Sequence, residues 1–334
     1  MSTAEPIFEF EDELSPELPS TSDIPLAVDV SNLWIHYGRF AAVKGITLKI
    51  PPGEVFGFIG PNGAGKSSTI RVLATLQAKF QGSVLIQGRS VRKEPQIVRE
   101  DIGYVPDFFG VYEDLTAREY LHFFAAAYQL PWSRRAGTVD DVLQLTDLTH
   151  KIDTPVDSLS RGMKQRLSLA RVLLHDPAVL LLDEPASGLD PRARIEMREL
   201  LKALKEMGKT IVISSHILHE LAQLCTQIGI IEAGRLVVQG SVAEIYQRLG
   251  LLRIVHVQLT NRPEGLLERV RQLPGVKQAD ESADRWAIRF EEADLAVDDL
   301  HAFLVEHGAR IRMFQPEVMD METAFMKLTE GQTQ

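Results

Sequence analysis

Residues 60–68 have the types and spacing of a loop that holds phosphate. The stretch from Gly60 to Ser67 fits the pattern G-x-x-x-x-G-K-[ST] and lies between a strand-like and a helix-like run. Glycines let backbone N–H groups turn inward around a phosphate, and the following helix points its positive dipole end at the same anion. Lys66 can reach the outer phosphates of a nucleotide, and the Ser67 hydroxyl can bind Mg²⁺. The candidate nucleotide-binding residues here are Gly60, Pro61, Asn62, Gly63, Ala64, Gly65, Lys66, Ser67 and Ser68. The alternative is a glycine-rich turn with a solvated lysine. The flanking strand and helix favour the phosphate loop over this alternative.

Two acids, Asp183 and Glu184, end the apolar run that begins at Val179. Acids at the carboxyl end of a buried parallel strand lie where ligands bind an open α/β sheet. Asp183 is then placed to hold Mg²⁺ through water, and Glu184 to orient or deprotonate an attacking water. The alternative is a structural Asp-Glu-Pro turn that ends the strand. Beside a phosphate loop, the two acids favour hydrolysis of a nucleotide.

The order of these and further motifs resembles the ATP-binding subunit of an ATP-binding cassette (ABC) transporter. The resemblance extends over about residues 26–250, two thirds of the chain. It places Tyr37 where the family has an aromatic side chain that stacks on adenine, with an ordinary strand-end tyrosine as the alternative. His216 matches the histidine that contacts the γ-phosphate. Its alternatives are a buried structural histidine or a two-ligand metal site with His219.

Two more motifs of the family concern a second subunit. The family's signature, usually L-S-G-G-Q, falls on residues 159–163, and the loop that communicates across the dimer falls on residues 187–190. The residues carried over are Ser160, Arg161, Gly162 and Met163 for the signature, and Ser187, Gly188, Leu189 and Asp190 for the loop. Ser160 can cap a helix that begins near Gly162, which would create an anion site at that helix start. The resemblance implies that this site contacts ATP bound by another cassette, so a second copy or a relative is needed.

The chain departs from the family pattern at three positions. Asp107 follows the run 102–106 where the family commonly has a glutamine. A carboxylate keeps an oxygen ligand for Mg²⁺, adds a charge and loses the amide donor. A solvated turn aspartate is the alternative. Arg161 and Met163 replace the usual Gly and Gln of the signature, and Arg161 could help to hold the triphosphate.

Short β-rich runs alternate with helical patterns and predict an α/β fold with a parallel sheet. The predicted strands are Ile46–Ile50, Val55–Ile59, Val84–Ile86, Ile102–Val105, Val179–Asp183, Thr210–Ser214 and Ile228–Ile231. The predicted helices are Lys66–Leu76, Ala117–Tyr128, Val139–Leu145, Gly162–Leu174 and Pro191–Met207. The resemblance implies a P-loop NTPase cassette with a RecA-like core, an antiparallel β subdomain and a helical subdomain at about residues 107–160.

Near residue 250 the pattern restarts and predicts a small α+β domain over residues 251–330. Its predicted strands include Ile254–Leu259, Trp286–Phe290 and Arg310–Phe314, and its predicted helices are Pro263–Gln272, Leu295–His307 and Glu322–Leu328. We therefore expect three parts: a leader of residues 1–25, an ABC ATPase domain of residues 26–250 and this accessory domain. The accessory domain could regulate, dimerise or only stabilise the chain.

Charge is distributed unevenly along the 334 residues. There are 36 Lys and Arg against 46 Asp and Glu, a formal net charge of −10, and the first 38 residues carry eight of the acids and no Lys or Arg. We expect residues 1–25 to be a disordered acidic tail, with an acidic docking segment as the alternative. The single Cys225 excludes an internal disulfide and favours a reducing compartment. No run approaches the about 20 apolar residues of a spanning helix, and the start lacks the pattern of a secretory signal.

The resemblance implies an ATPase that converts ATP and water to ADP and phosphate with Mg²⁺. A single cassette followed by a small domain resembles the ATPase subunits of ABC-2 type exporters. We expect a separate permease that contacts the face around residues 107–128, and a peripheral position on the cytoplasmic side of a bacterial membrane. The alternative is a soluble ABC-type ATPase acting on nucleic acid or ribosomes, against which the nearly neutral body argues. A module that only holds ATP is disfavoured by Glu184.

Overall fold

A computed structural model describes residues 26–107, 114–216, 224–241, 244–245, 252–261, 263–282, 285–291 and 294–317. The strands are β1 Val28–Tyr37, β2 Phe40–Ile50, β3 Val55–Ile59, β4 Gln81–Ile86, β5 Arg89–Ser90, β6 Ile102–Val105, β7 Val179–Asp183, β8 Thr210–Ser215, β9 Gln227–Glu232, β10 Arg235–Gly240, β11 Arg253–Leu259, β12 Val276–Ser282, β13 Arg285–Phe290 and β14 Ile311–Pro316. The helices are α1 Lys66–Leu73, α2 Pro95–Asp101, α3 Ala117–Ala127, α4 Trp132–Leu145, α5 Arg161–Leu173, α6 Pro191–Glu206, α7 Leu266–Arg271 and α8 Val297–Glu306. None of the helices in these ranges is long and apolar enough to span a bilayer.

The central sheet has the order β10-β9-β3-β8-β7-β6, and only the β10–β9 pair is antiparallel. Every residue of β3 and β7 is buried. Alternate side chains enter two different cores: Phe56 and Leu181 pack on one face, and Ile59 and Leu182 on the other. Because both faces are covered, these strands are apolar runs, and polar chemistry is confined to their ends.

A smaller antiparallel sheet of order β2-β1-β4-β5 covers the phosphate-loop side of the central sheet. Val28 and Val30 of β1 point into the core, and after Asn32 the inward positions become Leu33 and Ile35. The inward-facing positions change from even to odd numbers because the pairing of β1 with β2 shifts at Asn32, which has a φ of 51°. The sheet thereby keeps apolar side chains on the core side along its whole length.

The region between β6 and β7 is helical where it is described. Thr116 accepts a hydrogen bond from the Glu119 N–H, and the Glu119 carboxylate accepts one from the Thr116 N–H, so a capping box begins α3. Tyr120 of α3 and Leu143 of α4 are buried in the same core as the inner face of α5. With this packing, the start of α5 lies near the carboxyl ends of the central strands.

Residues 253–316 form a separate βαββαβ unit with the antiparallel sheet order β12-β13-β11-β14. Of the residues that the structure describes, its core contains those of this unit alone, among them Val257, Trp286, Ile288 and Leu300. The restart of the pattern near residue 250 is therefore accompanied by a new core. The boundary itself lies outside the described residues, as do the leader and Glu322–Leu328, so the three-part division stays a prediction.

The α/β fold class and the central strands agree with the prediction, whereas several element ends were wrong. The helix predicted over Lys66–Leu76 ends at Leu73, since Thr75 has a φ of 61°. The helix predicted over Pro263–Gln272 begins only at Leu266, after Gly265 at a φ of 70°. Five elements, β1, α2, β5, β10 and β12, were not among the predicted strands and helices. α2 and β5 are short, and β10 and β12 lie at sheet edges, where a solvated face hides the apolar period. In β1 the register shifts interrupt the alternation of apolar residues.

Candidate active site

The carboxyl ends of neighbouring parallel strands bring the predicted site residues together. The register pairs Ile59 with Ser215, Asp183 with Ser214, and Val105 with Leu182. The residues that follow these strands are therefore adjacent: Gly60, His216, Glu184 and Asp107. Residues more than a hundred positions apart in the chain thus meet at one edge of the sheet.

The phosphate loop joins β3 to α1 at this edge. Gly65 precedes α1 with a φ of 108°, and a Cβ there would lie 2.7 Å from the Ala42 carbonyl oxygen. A Cβ at Gly60 would collide with the carbonyl of Ile231. Both glycines are thus required by close backbone approach, and the Gly65 conformation also favours glycine. The N-terminus of α1 consequently faces the mouth of the loop.

Lys66 is buried, and its ammonium lies over the loop. The Nζ donates hydrogen bonds to the carbonyl oxygens of Gly60, at 2.7 Å, and Pro61, at 3.2 Å. It also forms an ion pair with Oε1 of Glu184 at 3.3 Å. A buried cation beside inward-facing N–H groups is the arrangement that stabilises a phosphate.

Asp183 is held in a hydrogen-bonded network. Its Oδ1 accepts from the hydroxyls of Ser67, at 2.9 Å, and Ser214, at 2.7 Å. The Ser214 Oγ in turn accepts from the backbone N–H of Glu184 at 3.0 Å. Ser214 was not among the predicted site residues, because a serine at the end of a strand carries no signal of its own. It links the two acids through one hydroxyl.

Glu184 stands between the lysine and the histidine. Its Oε2 lies 2.8 Å from Nδ1 of His216 and accepts a 3.4 Å hydrogen bond from the His216 N–H. A carboxylate is acceptor-only, so Nδ1 carries the hydrogen in this pair. Among the described residues, the buried Oε1 accepts no hydrogen bond and has the 3.3 Å ion pair with the Lys66 Nζ, and Glu184 has a φ of 50°, in the left-handed region. A carboxylate oriented in this way can position a water for attack.

Asp107 belongs to the same site. Its side chain is exposed, but burial of part of the group and the nearby acids Asp183 and Glu184 raise the pKa of its carboxyl. Arg161, and His216 when it is protonated, act in the opposite direction on this pKa. The role of Asp107, an oxygen ligand for Mg²⁺ or a solvated turn aspartate, stays a prediction.

Tyr37 lies at the outer side of the phosphate loop. The phenol donates a 3.4 Å hydrogen bond to the Ser68 Oγ, and 45% of the residue is exposed. An exposed ring beside the loop can stack on a planar group that enters with a phosphate. The geometry is consistent with the predicted adenine contact.

The signature residues begin α5. The Ser160 Oγ accepts a 3.3 Å hydrogen bond from the Met163 N–H, so Ser160 is the N-cap and the helix begins at Arg161, one residue before the predicted start. A Cβ at Gly162 would lie 2.8 Å from the Cβ of Ala193, which packs this helix start on α6. In the described parts of the chain, no hydrogen bond or ion pair joins residues 160–163 to the phosphate loop.

The loop 187–190 leads from Glu184 into α6. The Ser187 N–H donates to the Glu184 carbonyl at 3.0 Å, Leu189 is buried, and Oδ1 of Asp190 caps α6 through the Ala193 N–H at 2.9 Å. Gly188 has a φ of 66°. The loop therefore ties the position of the candidate base to the start of α6.

No group of three or more His, Cys, Asp or Glu within the described ranges is arranged to hold a metal ion unaided. The donor set does fit Mg²⁺, which keeps several waters and binds through one or two protein oxygens together with phosphates. The Ser67 hydroxyl and the Asp183 carboxylate, already 2.9 Å apart, supply such oxygens.

Comparisons with known proteins agree with this geometry. A family profile described as "ABC transporter" matches residues 43–187. The chain is 32% identical over 304 residues to the linearmycin resistance ATP-binding protein LnrL of Bacillus subtilis (strain 168), covering 90% of this chain and 98% of the relative. It is 37% identical over 215 residues to the Nod factor export ATP-binding protein I of Paraburkholderia xenovorans (strain LB400), covering 64% of this chain and 71% of that protein.

Solved structures give the same assignment for the fold. The cbiO1 subunit from Clostridium perfringens, part of the ABC transporter complex cbiONQ, matches with a TM-score of 0.61 and 31% identity over 66% of this chain and 91% of that one. A structure described as the ATP-binding subunit of an ABC transporter matches with a TM-score of 0.61 and 29% identity over 67% and 93%. The chain therefore belongs to the ATP-binding subunits of ABC transporters, the family that hydrolyses ATP to power transport.

Proposed function

We propose that this subunit, with Mg²⁺ bound, hydrolyses ATP at the site described above and drives export through a separate membrane permease of the ABC-2 type. The arrangement of Lys66, Glu184 and His216 carries the proposal. One carboxylate contacts a buried lysine at 3.3 Å and a histidine at 2.8 Å, at the mouth of a phosphate loop. A water that bridges this carboxylate and a bound γ-phosphate would be aligned for attack.

Each side chain has a distinct part in the proposed reaction. Backbone N–H groups of residues 60–65 and the Lys66 ammonium bind the β- and γ-phosphates. The Ser67 hydroxyl and Asp183 would hold Mg²⁺, which supplies charge neutralisation on the phosphate oxygens. Glu184 orients the attacking water and accepts its proton.

His216 positions the base in this scheme. Its ring and its backbone N–H both contact Oε2 of Glu184, while Oε1 faces the Lys66 ammonium at 3.3 Å. Ser214 fixes the backbone of Glu184 from the opposite side. The carboxylate is thereby oriented before the substrate binds, which lowers the entropy cost of reaching the reactive geometry.

A second cassette, either another copy or a relative, completes the site in this proposal. Ser160 and Arg161 are exposed at the N-terminus of α5, where backbone N–H groups and the helix dipole favour an anion. Within the described residues, no hydrogen bond or ion pair joins them to the phosphate loop of their own chain. A head-to-tail pair would place each helix start on the triphosphate of the other subunit and form two equivalent sites.

Export rather than import is supported by the relatives. The Bacillus relative, named for linearmycin resistance, aligns with 90% of the chain, including most of the part after residue 250, and the Nod factor relatives are named as export proteins. We place the subunit at the cytoplasmic side of the membrane, where ATP is available. No observation on the described residues favours the alternative of a nucleic-acid or ribosome partner.

The pairing is tested with Glu184→Gln in the full chain. This change keeps the shape of the side chain but removes the base, so ATP should bind without being consumed and hold two subunits together. Light scattering after size exclusion in Mg·ATP should give the mass of a dimer, and omission of nucleotide should return a monomer. Glu206→Gln at the exposed end of α6 is the control and should not trap a dimer. A Glu184→Gln protein that stays monomeric in saturating ATP contradicts the proposed pairing.

A further inference from the structure

We propose that Phe40 is a second base-contacting side chain of the nucleotide site, which together with Tyr37 holds the purine ring of ATP on an aromatic pair. The family resemblance assigns a base contact only to Tyr37. The inference rests on the proposed ATPase function, because it concerns the base of the nucleotide whose phosphates lie in the loop 60–68.

Tyr37 and Phe40 lie on the same face of the small antiparallel sheet. They end β1 and begin β2, and the register pairs them directly across the two-residue turn Gly38-Arg39. Side chains directly opposite in an antiparallel pair share one face, with their Cβ atoms about 5 Å apart. The hydrogen bond from the Tyr37 phenol to the Ser68 Oγ, at 3.4 Å, identifies this face. Phe40 therefore projects from the face that contacts the start of α1.

The strand that carries Phe40 is held against the phosphate loop by its backbone. The Gly234 N–H donates to the Ala64 carbonyl at 3.0 Å, and the Gly234 carbonyl accepts from the Lys44 N–H at 2.8 Å. One glycine thus bridges the loop and β2. Ala42, two residues after Phe40, lies with its carbonyl oxygen against the glycine that precedes α1. These contacts fix the position of the Phe40 backbone relative to the bound phosphates.

Both rings of the pair are open to a ligand. Tyr37 is 45% exposed and Phe40 is 54% exposed. In the stretch 27–86, which the structure describes throughout, every other Phe, Tyr or Trp is buried or half-buried. One exposed aromatic residue on a surface needs no explanation. Two on one face of a turn, beside a site for a ligand that itself contains an aromatic ring, form a surface on which a base can stack.

Phe40→Ala tests the contact through two ligands that differ in the base. One is a non-hydrolysable ATP analogue, and the other is inorganic tripolyphosphate, which has three phosphates and no base; both are used with Mg²⁺. In titration calorimetry on the full chain, Phe40→Ala should bind the ATP analogue about five-fold more weakly than the wild type, the lower end of the loss typical of one stacked base. Its affinity for tripolyphosphate should stay within about two-fold, because the phosphate loop is unchanged.

Further variants separate the aromatic ring from apolar bulk. Phe40→Leu keeps an apolar side chain without a ring, and it should lose about as much affinity for the ATP analogue as Phe40→Ala. Phe40→Trp keeps a ring and should bind within about two-fold of the wild type. Its added tryptophan emission should be quenched by the ATP analogue and not by tripolyphosphate. The control is Val305→Ala in α8, also an exposed apolar residue, which should leave both affinities unchanged.

Three results would overturn the aromatic pair. Wild-type affinity of Phe40→Ala for the ATP analogue would mean that the ring does not touch the base. An equal loss for tripolyphosphate would mean that the residue acts through the phosphate loop. Wild-type affinity of Phe40→Leu would replace stacking by simple apolar contact. Failure of the proposed ATPase function would be seen separately, as a wild-type chain that binds the ATP analogue but hydrolyses no ATP.

Discussion

At the residue scale, the site depends on side chains with more than one partner. Glu184 contacts Lys66 and His216, and Ser214 joins the Glu184 backbone to the Asp183 carboxylate. Glu184 also has a φ of 50°, a conformation that costs a non-glycine residue energy and persists only when its surroundings hold it. Ser214 is one of the groups that hold it.

Ser214→Ala should therefore impair catalysis more than folding. The change removes a donor to Asp183 and leaves the Glu184 N–H without its acceptor, at a cost of about 1–3 kcal/mol. We expect ATP turnover to fall at least about ten-fold, while binding of a fluorescent, non-hydrolysable ATP analogue with Mg²⁺ changes less. The control is Ser168→Ala in α5, where the buried Oγ has no hydrogen-bond partner among the described residues and the change should leave the thermal midpoint the same or higher. Unchanged turnover in Ser214→Ala would exclude its positioning role.

At the element scale, what the sequence could predict depended on burial. The fully buried strand β3 has no polar side chain, and β7 is apolar up to its last residue, Asp183; the predicted bounds of both strands are the observed ones. Helix α4 begins at Trp132, whereas the predicted helix begins at Val139. The prediction missed the first two turns because they are solvated and show no apolar period. The Ser160 cap could be predicted from local chemistry. The position of Arg161 over Gly188 could not, because it depends on how α5 and α6 pack.

Asp190 caps the start of α6 at the end of the loop that follows Glu184. Its role as a cap can be tested separately from its charge. Asp190→Ala removes the acceptor for the Ala193 N–H and should lower the free energy of unfolding by about 1 kcal/mol. Asp190→Ser keeps a capping oxygen and should restore most of that stability in a urea titration. Equal stability of the two variants would mean that the cap does not hold the start of α6.

At the scale of the whole molecule, the described residues form three sheets and three hydrophobic cores. Two of these cores share the central sheet, whereas the third contains only residues of the βαββαβ unit. The sequence indicated this unit through a restart of its pattern, but its strand order required the structure. A core that is complete within one segment predicts that the segment folds without the rest of the chain.

A fragment of residues 252–334 tests this independence. It contains one of the three tryptophans, Trp286, which is buried in the third core. We expect blue-shifted fluorescence that is lost in one cooperative step in urea. Ile288→Asp, which buries a charge in the same core, gives the unfolded reference. Solvent-exposed emission from the unmodified fragment without urea would contradict an independent unit.

The central claim is that Glu184, held by Lys66 and His216, directs water onto the γ-phosphate of ATP. The most direct measurement is release of inorganic phosphate from Mg·ATP by the full chain, wild type against Glu184→Gln, with binding of the ATP analogue measured on the same samples. The account predicts that Glu184→Gln binds the analogue within about two-fold of the wild type and releases phosphate at least about a hundred-fold more slowly. Phosphate release at the wild-type rate by Glu184→Gln would contradict it.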